Sequence, residues 1–368
     1  MISRVTSSTV NASLTNQIGN QYANYAKLTE QITTGNRVNS LFDDPVQAIN
    51  IISSNRQLSK IGTWTQNIQA LNNEIKDSSE TIDLAIDKAQ RVKDLATTAA
   101  NGTTTKSSLK ATLDELNQLI RGMVDMANTN YNGNYIYGGT NTKTPPYEIQ
   151  YAIDDAGNLT DEIIGIKYNG TKVTDEWQRQ LEISDGVFQT VNVTGDAVFG
   201  QYDKEPVYEA DGVTPVLDAD GNPTYTVNAQ NGIMSDLIKL QNAIKETIAK
   251  IEEQENLPEG ATQAEKQAAG EAVSQCYTNI NGLLDGITSS MDIMTTVNTK
   301  FGSVTNKLDM TSESLTGSEL NLKEFISDIQ EVDLTEVIGD WYSAQYAYQA
   351  SMQASTSIMS MSLLNYLS

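Results

Sequence analysis

The run from Ile61 to Ala99, IGTWTQNIQALNNEIKDSSETIDLAIDKAQRVKDLATTA, decides the fold class. Ile61, Trp64, Ile68, Leu71, Ile75, Ile82, Ala85, Ala89, Val92, Ala96 and Ala99 keep a heptad rhythm, with only Ser78 breaking the apolar series. A helix of this length extends about 60 Å at ~1.5 Å per residue, beyond the reach of an ordinary domain helix. Its 3.5-residue period calls for a partner helix in a left-handed supercoil. After Asn101-Gly102 a second heptad stretch passes through Leu109, Leu113, Leu116, Ile120, Met123 and Ala127, which predicts an antiparallel hairpin.

Toward the N-terminus, Leu14, Ile18, Tyr25, Leu28 and Ile32 recur at steps of three and four, with Gln21 in one slot. Gly35 ends that helix, and Asp44 with Pro45 opens the next as N-cap and first helical residue. Beyond residue 131 the texture changes. Turn dipeptides multiply (Gly157-Asn158, Asn169-Gly170, Asp185-Gly186, Asp211-Gly212, Asp220-Gly221) around short runs such as Ile163–Ile166, Val187–Val191 and Tyr225–Val227. Hairpins of a small antiparallel β domain have that signature.

Helix returns with Leu237, Leu240, Ile244, Ile248 and Ile251 and stops at Leu257–Gly260. A long seam then runs from Val273 through Cys276, Ile280, Leu283, Ile287, Met294, Val297, Phe301, Val304 and Leu308 to Leu315. The last segment carries Leu334, Ile338, Trp341, Ala344 and Tyr348, then Ile358, Met361 and Leu364. The expected fold is mainly α with a β insertion: a long antiparallel coiled-coil-like bundle built from both termini, plus a small antiparallel β domain. Its divisions are an N-terminal assembly arm (1–45), a helical hairpin of the rod (46–130), a β-rich outer domain (131–231), the C-terminal helices of the rod (232–329) and a C-terminal assembly arm (330–368).

Of 368 residues, 47 are acidic and 24 basic, for a net charge of -23. That balance argues against nucleic acid, which needs a basic surface, and against docking on an anionic membrane. Histidine is absent and Cys276 is the single cysteine, which removes the usual metal ligand and neutral-pH proton carrier and forbids an internal disulfide. No stretch reaches membrane-span length, and the first residues lack a signal-peptide core, so export without a cleaved signal is the expectation.

Several motifs admit a sharper chemistry. Asp43-Asp44 is read as a helix cap and not a carboxylate pair for acid–base work, because the cap explains Pro45 as well. The stretch from Gly133 to Thr144 lacks the Gly-Lys-Ser/Thr order of a phosphate loop. Asp218-Ala219-Asp220-Gly221-Asn222 lacks the ligand spacing and closing glutamate of a calcium loop. Cys276 sits on the seam as a small buried hydrophobe. No catalytic residue, cofactor or metal is expected.

Gln31-Ile32-Thr33-Thr34-Gly35-Asn36-Arg37-Val38-Asn39-Ser40 followed by Asp43-Asp44-Pro45 resembles the N-terminal signature of the bacterial flagellin superfamily, and the Asp-Asp-Pro form is similar to its hook-associated members. Asn132–Thr140 with Pro145-Pro146-Tyr147, Ile183–Gly186 with Val191–Gly200, and Asp333–Glu336 with Leu363–Leu367 resemble later segments of the same family. The resemblance implies a structural axial subunit of the flagellum at the junction of hook and filament. It also implies a neighbouring hook-associated protein and flagellin as partners, copies of the chain in a ring, and a cytosolic export chaperone on the C-terminal arm. A minor filament flagellin is the near alternative; a secreted binding module using the β domain is the alternative from another class.

The middle seams are assigned to the chain's own core. Leu14, Ile18, Tyr25, Leu28, Ile32, Leu334, Ile338, Trp341, Tyr348, Ile358, Met361 and Leu364 are assigned to packing between subunits, on the expectation that the terminal segments lie beyond pairing within one molecule.

Overall fold

The computed structural model describes residues 7–153, 159–171, 179–190, 193–207, 216 and 224–367, with side chains described for those of 9–358 other than 206. Gly157-Asn158, Asp154, Asp155, Asp211-Gly212, the Asp218–Asn222 turn, and the side chains of Met361 and Leu364 lie outside the described residues. In chain order the elements are α1 (Ser7–Thr34), α2 (Pro45–Ala99), α3 (Lys106–Ala127), β1 (Asn130–Tyr131), β2 (Asn134–Tyr135), β3 (Tyr147–Ile153), β4 (Leu159–Tyr168), β5 (Gln180–Ser184), β6 (Val187–Thr190), α4 (Gly195–Val198), β7 (Gln201–Pro206), β8 (Tyr225–Gln230), α5 (Ile233–Glu255), α6 (Gln263–Gly282), α7 (Leu284–Gln330) and α8 (Leu334–Leu367). The fold is mainly α with an antiparallel β insertion. It divides into a central unit, Gln66–Ser312, and a terminal unit formed by Met1–Thr65 and Glu313–Ser368.

Heptad burial builds the central unit. Leu71, Ile82, Ala85, Ala89, Val92, Ala96 and Ala99 of α2 are buried, as are Leu109, Leu116, Ile120 and Met123 of α3. Polar pairs along the margins fix an antiparallel register. Arg91 meets Glu115 at 2.7 Å between α2 and α3, Gln241 Nε2 donates to Asn117 Oδ1 at 2.7 Å between α5 and α3, and Asn298 Nδ2 donates to Asp83 Oδ1 at 2.6 Å between α7 and α2. Thr105 caps α3, and Thr262 with Glu265 forms a capping box on α6. The long seam that starts at Val273 is carried by two helices, with a break at Leu283 directly after Gly282. Glycine costs about 1 kcal/mol relative to alanine inside a helix, so the break falls at the weakest residue while the buried stripe continues at Ile287 and Met294.

The β insertion is a four-stranded antiparallel sheet, β3-β4-β7-β8, with the β1-β2 and β5-β6 hairpins beside it. The β1-β2 turn is made by Asn132 (φ 50) and Gly133 (φ 76), the residue pair that tolerates two left-handed positions in succession. Tyr137, Tyr147, Tyr168 and Phe199 form its buried aromatic cluster, with Tyr137 edge-on to Phe199 at 5.1 Å. Every hydroxyl there has a backbone acceptor: Tyr137 donates to Ser78 O of α2 at 3.0 Å, Tyr147 to Gly200 O at 3.0 Å and Tyr168 to Tyr137 O at 2.9 Å. Burial pushes the Tyr137 phenol far above its ordinary range, so it acts only as a neutral donor.

In the terminal unit α1 and α8 pack on each other. This corrects the expectation that the terminal segments lie beyond pairing within one molecule. Both carry an apolar stripe of matching length, and a stripe left in water has no cheaper partner than the one tethered to it.

Candidate assembly interface

Sparse charge distinguishes the terminal helices. The only ionisable groups of opposite sign in α1 are Lys27 and Glu30, and α8 has only Glu336 and Asp340. No side chain between Trp341 and Leu367 is acidic or basic. Contact between the two helices is aromatic. The Tyr25 and Tyr348 rings stack at 6.2 Å, Tyr25 lies 5.7 Å from Trp341, and Tyr22 lies 5.7 Å from Tyr348. Trp341 Nε1 donates to Thr29 Oγ1 at 2.9 Å, so the indole N–H is satisfied at the contact.

The breaks between helices are held together by backbone. Gly35 (φ +71) ends α1, and Asn36 bridges Glu331 in antiparallel sense just past the end of α7. Arg37 N donates to Gln330 O at 2.6 Å, Val332 N to Gly35 O at 3.1 Å, and Arg37 Nη2 to Ile329 O at 3.0 Å. At the start of α2 the Asp44 carboxylate accepts from Val46 N at 3.1 Å and Gln47 N at 3.0 Å. Asp43 does different work. Its Oδ2 accepts from Ser40 N at 2.9 Å and Asn39 N at 3.2 Å, and Oδ1 lies 3.3 Å from Lys27 Nζ of α1. Burial pushes the Asp43 pKa up, but the Ser40, Lys27 and Asn39 donors outweigh it and leave the pKa below the ordinary 3.8. Behind this turn Val38, Ala48 and Ile51 are buried with Ile329 packed on them.

Leu14, Ile18, Tyr25, Leu28 and Ile32 on α1 and Trp341, Tyr348 and Ile358 on α8 are half-buried. Leu334 and Ile338 stay exposed, and their line along α8 continues at four-residue steps through Tyr342 and Tyr346. The line that faces inward begins instead at Val337 and passes through Trp341, Ala344 and Tyr348, of which Val337 and Ala344 are buried. Sequence reasoning merged the two lines, since both satisfy steps of three and four. It also missed Leu41, Phe42, Val46, Ile49 and Ile52, which are all exposed at the opening of α2, with Phe42 at 96%. Their signal was present: α2 has no acidic residue before Glu74. Of the nineteen large apolar side chains exposed among the described residues, thirteen fall in the terminal unit. Single exposed apolar residues are ordinary; a concentration of them on helix faces marks a contact surface.

The bacterial flagellin N-terminal helical region matches residues 5–142, and the bacterial flagellin C-terminal helical region matches residues 284–367, together about three-fifths of the chain. The chain is 23% identical to flagellar hook-associated protein 3 of Escherichia coli over 347 residues, covering 94% of each chain. It is 24% identical to flagellar hook-associated protein 3 of Salmonella typhimurium over 353 residues, again covering 94% of each. Among solved structures, the flagellar junction protein from Legionella pneumophila aligns with a TM-score of 0.50 at 16% identity, over 77% of this chain and 100% of that one, a likeness of fold.

Proposed function

The chain belongs to the bacterial flagellin family, and from that premise we propose that its terminal helices are the assembly contacts of a subunit joining hook to filament. It is a structural component of the flagellum, of the hook-associated kind. One observation carries the proposal: the exposed apolar side chains concentrate on helices with almost no charge, in a molecule of net charge -23. Like-charged subunits repel unless the contacting faces are free of their common charge, and the terminal unit supplies such faces.

Around this contact layer we place the partners that the family implies. A hook-associated protein lies on one side, flagellin on the other, and further copies complete a ring. Before assembly the exposed line of α8 needs cover in the cytosol, which an export chaperone with an apolar groove provides. The half-buried stripe residues Leu14, Ile18, Tyr25, Leu28, Ile32, Trp341, Tyr348 and Ile358 serve the α1–α8 pair first. Leu334 and Ile338 face neighbours.

Complementation of a strain lacking its own copy tests the reading. The full chain restores filaments on hooks. Ile338→Ser with Tyr346→Ser, two changes at exposed positions, leaves hooks bare and filament protein in the medium. Normal filaments from that variant would place the contacts elsewhere.

A further inference from the structure

Five Asn-Gly pairs occur in the chain, at Asn101, Asn132, Asn169, Asn231 and Asn281. An asparagine amide followed by glycine is open to attack by the next peptide nitrogen, because glycine has no Cβ to bar the approach. The fold treats the five pairs differently. Asn281 and Gly282 end α6, where side chains lean toward the helix N-terminus and carry the amide carbon away from the following nitrogen. Gly133 N donates to Asn130 Oδ1 at 2.8 Å, so that nitrogen is engaged. Asn169 Nδ2 donates to Glu148 Oε2 at 3.1 Å, and Gly170 is packed on the Tyr168 ring. Gly232 is buried, with its backbone pressed on Gly200.

Asn101-Gly102 is the exception. Both residues are exposed in the turn between α2 and α3, and Gly102 N–H has no acceptor among the described residues. The nearest atom to a Cβ at Gly102 would be in the Tyr277 ring at 3.9 Å, so the backbone has room to move. The residues around it are anchored: Asn101 N donates to Thr98 O at 3.3 Å, Thr104 N to Asn101 O at 2.9 Å, and Tyr277 Oη to Thr104 O at 3.0 Å. Asn101 Oδ1 accepts from Thr103 N at 3.2 Å and from Thr103 Oγ1 at 3.0 Å, while its Nδ2 has no acceptor among the described residues. Two donors hold the amide oxygen, and the amide nitrogen is left to water.

We propose that Asn101 is a self-modifying site, converted through a cyclic imide to aspartate and isoaspartate. Gly102 N gives its proton to water and bonds to Asn101 Cγ. Oδ1 gains negative charge, which the two Thr103 donors already face. The Cγ–Nδ2 bond then breaks, and the amine leaves as ammonia with a proton from solvent. Water opens the imide at either carbonyl carbon and returns a hydrogen to the ring nitrogen. One water enters and one ammonia leaves, with no oxidant or cofactor. Each conversion adds an acid to a chain of net charge -23. The isoaspartate form also adds a carbon to the main chain of the turn that Tyr277 pins, which loosens the α2–α3 tip.

Peptide mapping of the full chain, incubated folded in mildly alkaline buffer, reads the conversion at each pair. Asn101 converts about tenfold or more faster than each of the other four, because only there are the reacting atoms both free and held. It yields isoaspartate as well as aspartate, which direct hydrolysis does not. In denaturing urea the five rates come within about threefold of one another, since the fold no longer separates them. Thr103→Val keeps the backbone donor and removes the hydroxyl; it slows Asn101 by about threefold or more and leaves the other four unchanged. Thr103→Ser, which retains a hydroxyl, retains the rate. Equal rates in the folded chain, another pair in the lead, or the same order of rates in urea overturn the proposal. An unaltered rate in Thr103→Val overturns the part assigned to Thr103.

Discussion

In the central unit Leu71, Ile82, Leu116, Ile120 and Leu240 are shut away from solvent, and only six large apolar side chains are exposed among its described residues. The terminal unit reverses the proportion, with thirteen exposed and seven apolar residues buried, among them Val38, Ile51 and Val337. Both units are made from helices with apolar residues at similar spacing. They differ in the number of partners available. Helices α2, α3, α5 and α7 share buried seams in the central unit, whereas α1 and α8 pack chiefly on each other. A helix with one neighbour covers one line and leaves the next in water. Burial is thus completed within the chain in one unit and left for neighbours in the other.

The sharpest way to break this contrast is to remove α8. A chain ending at residue 330 fails to enter flagella altogether. Its central unit still unfolds cooperatively, within about 1 kcal/mol of the full chain in urea. A truncated chain that assembles, or a central transition that shifts further, shows that the units are not separable in this way. The converse change is smaller. Tyr137→Ala empties an aromatic site and removes the hydroxyl bond to Ser78 O, and costs the central unit about 3–5 kcal/mol. Chemical denaturation reads that loss, and amide exchange in α1 and α8 stays unchanged. Trp341→Ala acts on the other side of the comparison. Half-buried against Tyr25, the indole contributes about 1–2 kcal/mol through ring contact and its bond to Thr29. Exchange along residues 22–29 of α1 accelerates in proportion, while the urea transition of the central unit does not move.

Heptads at Ile61–Ala99 and Leu109–Ala127 made the central helices legible, because a buried stripe has one period and one address. The β insertion was legible from its turns, and Asn132-Gly133 shows why: that dipeptide settles a backbone geometry without help from tertiary contacts. Strand order was not legible, since β4 pairs with β7 across an intervening hairpin and a helix, and local patterns do not encode such a partner. At the candidate interface the period failed for a physical reason. On α8, Leu334–Ile338–Tyr342–Tyr346 and Val337–Trp341–Ala344–Tyr348 are adjacent lines, and hydrophobicity alone does not say which one meets α1. The aromatic contacts with Tyr22 and Tyr25 decide it.

The smallest effect separates the units by the sign of a pH dependence. Asp43 has a folded pKa below 3.8, so the terminal unit binds fewer protons at this site folded than unfolded. That stabilisation is complete above the unfolded value and disappears as pH falls through the lower folded one. Asp236 in the central unit behaves oppositely. Burial pushes its pKa above 3.8, against the Ser290 hydroxyl bond at 2.6 Å and the nearby Lys239 ammonium. The folded state there binds more protons, so acidification through that raised pKa stabilises the first turn of α5. Asp43 lies near the surface, where screening limits its contribution to below about 1 kcal/mol. Residue-resolved amide exchange between pH 5 and 3, corrected for intrinsic rates, therefore shows Asn39 and Ser40 losing protection while Ser290 and its neighbours on α7 hold or gain it. Asp43→Asn removes the first trend and leaves the second. If both regions weaken together, the carboxylates respond to the net charge of the whole molecule and not to their own surroundings.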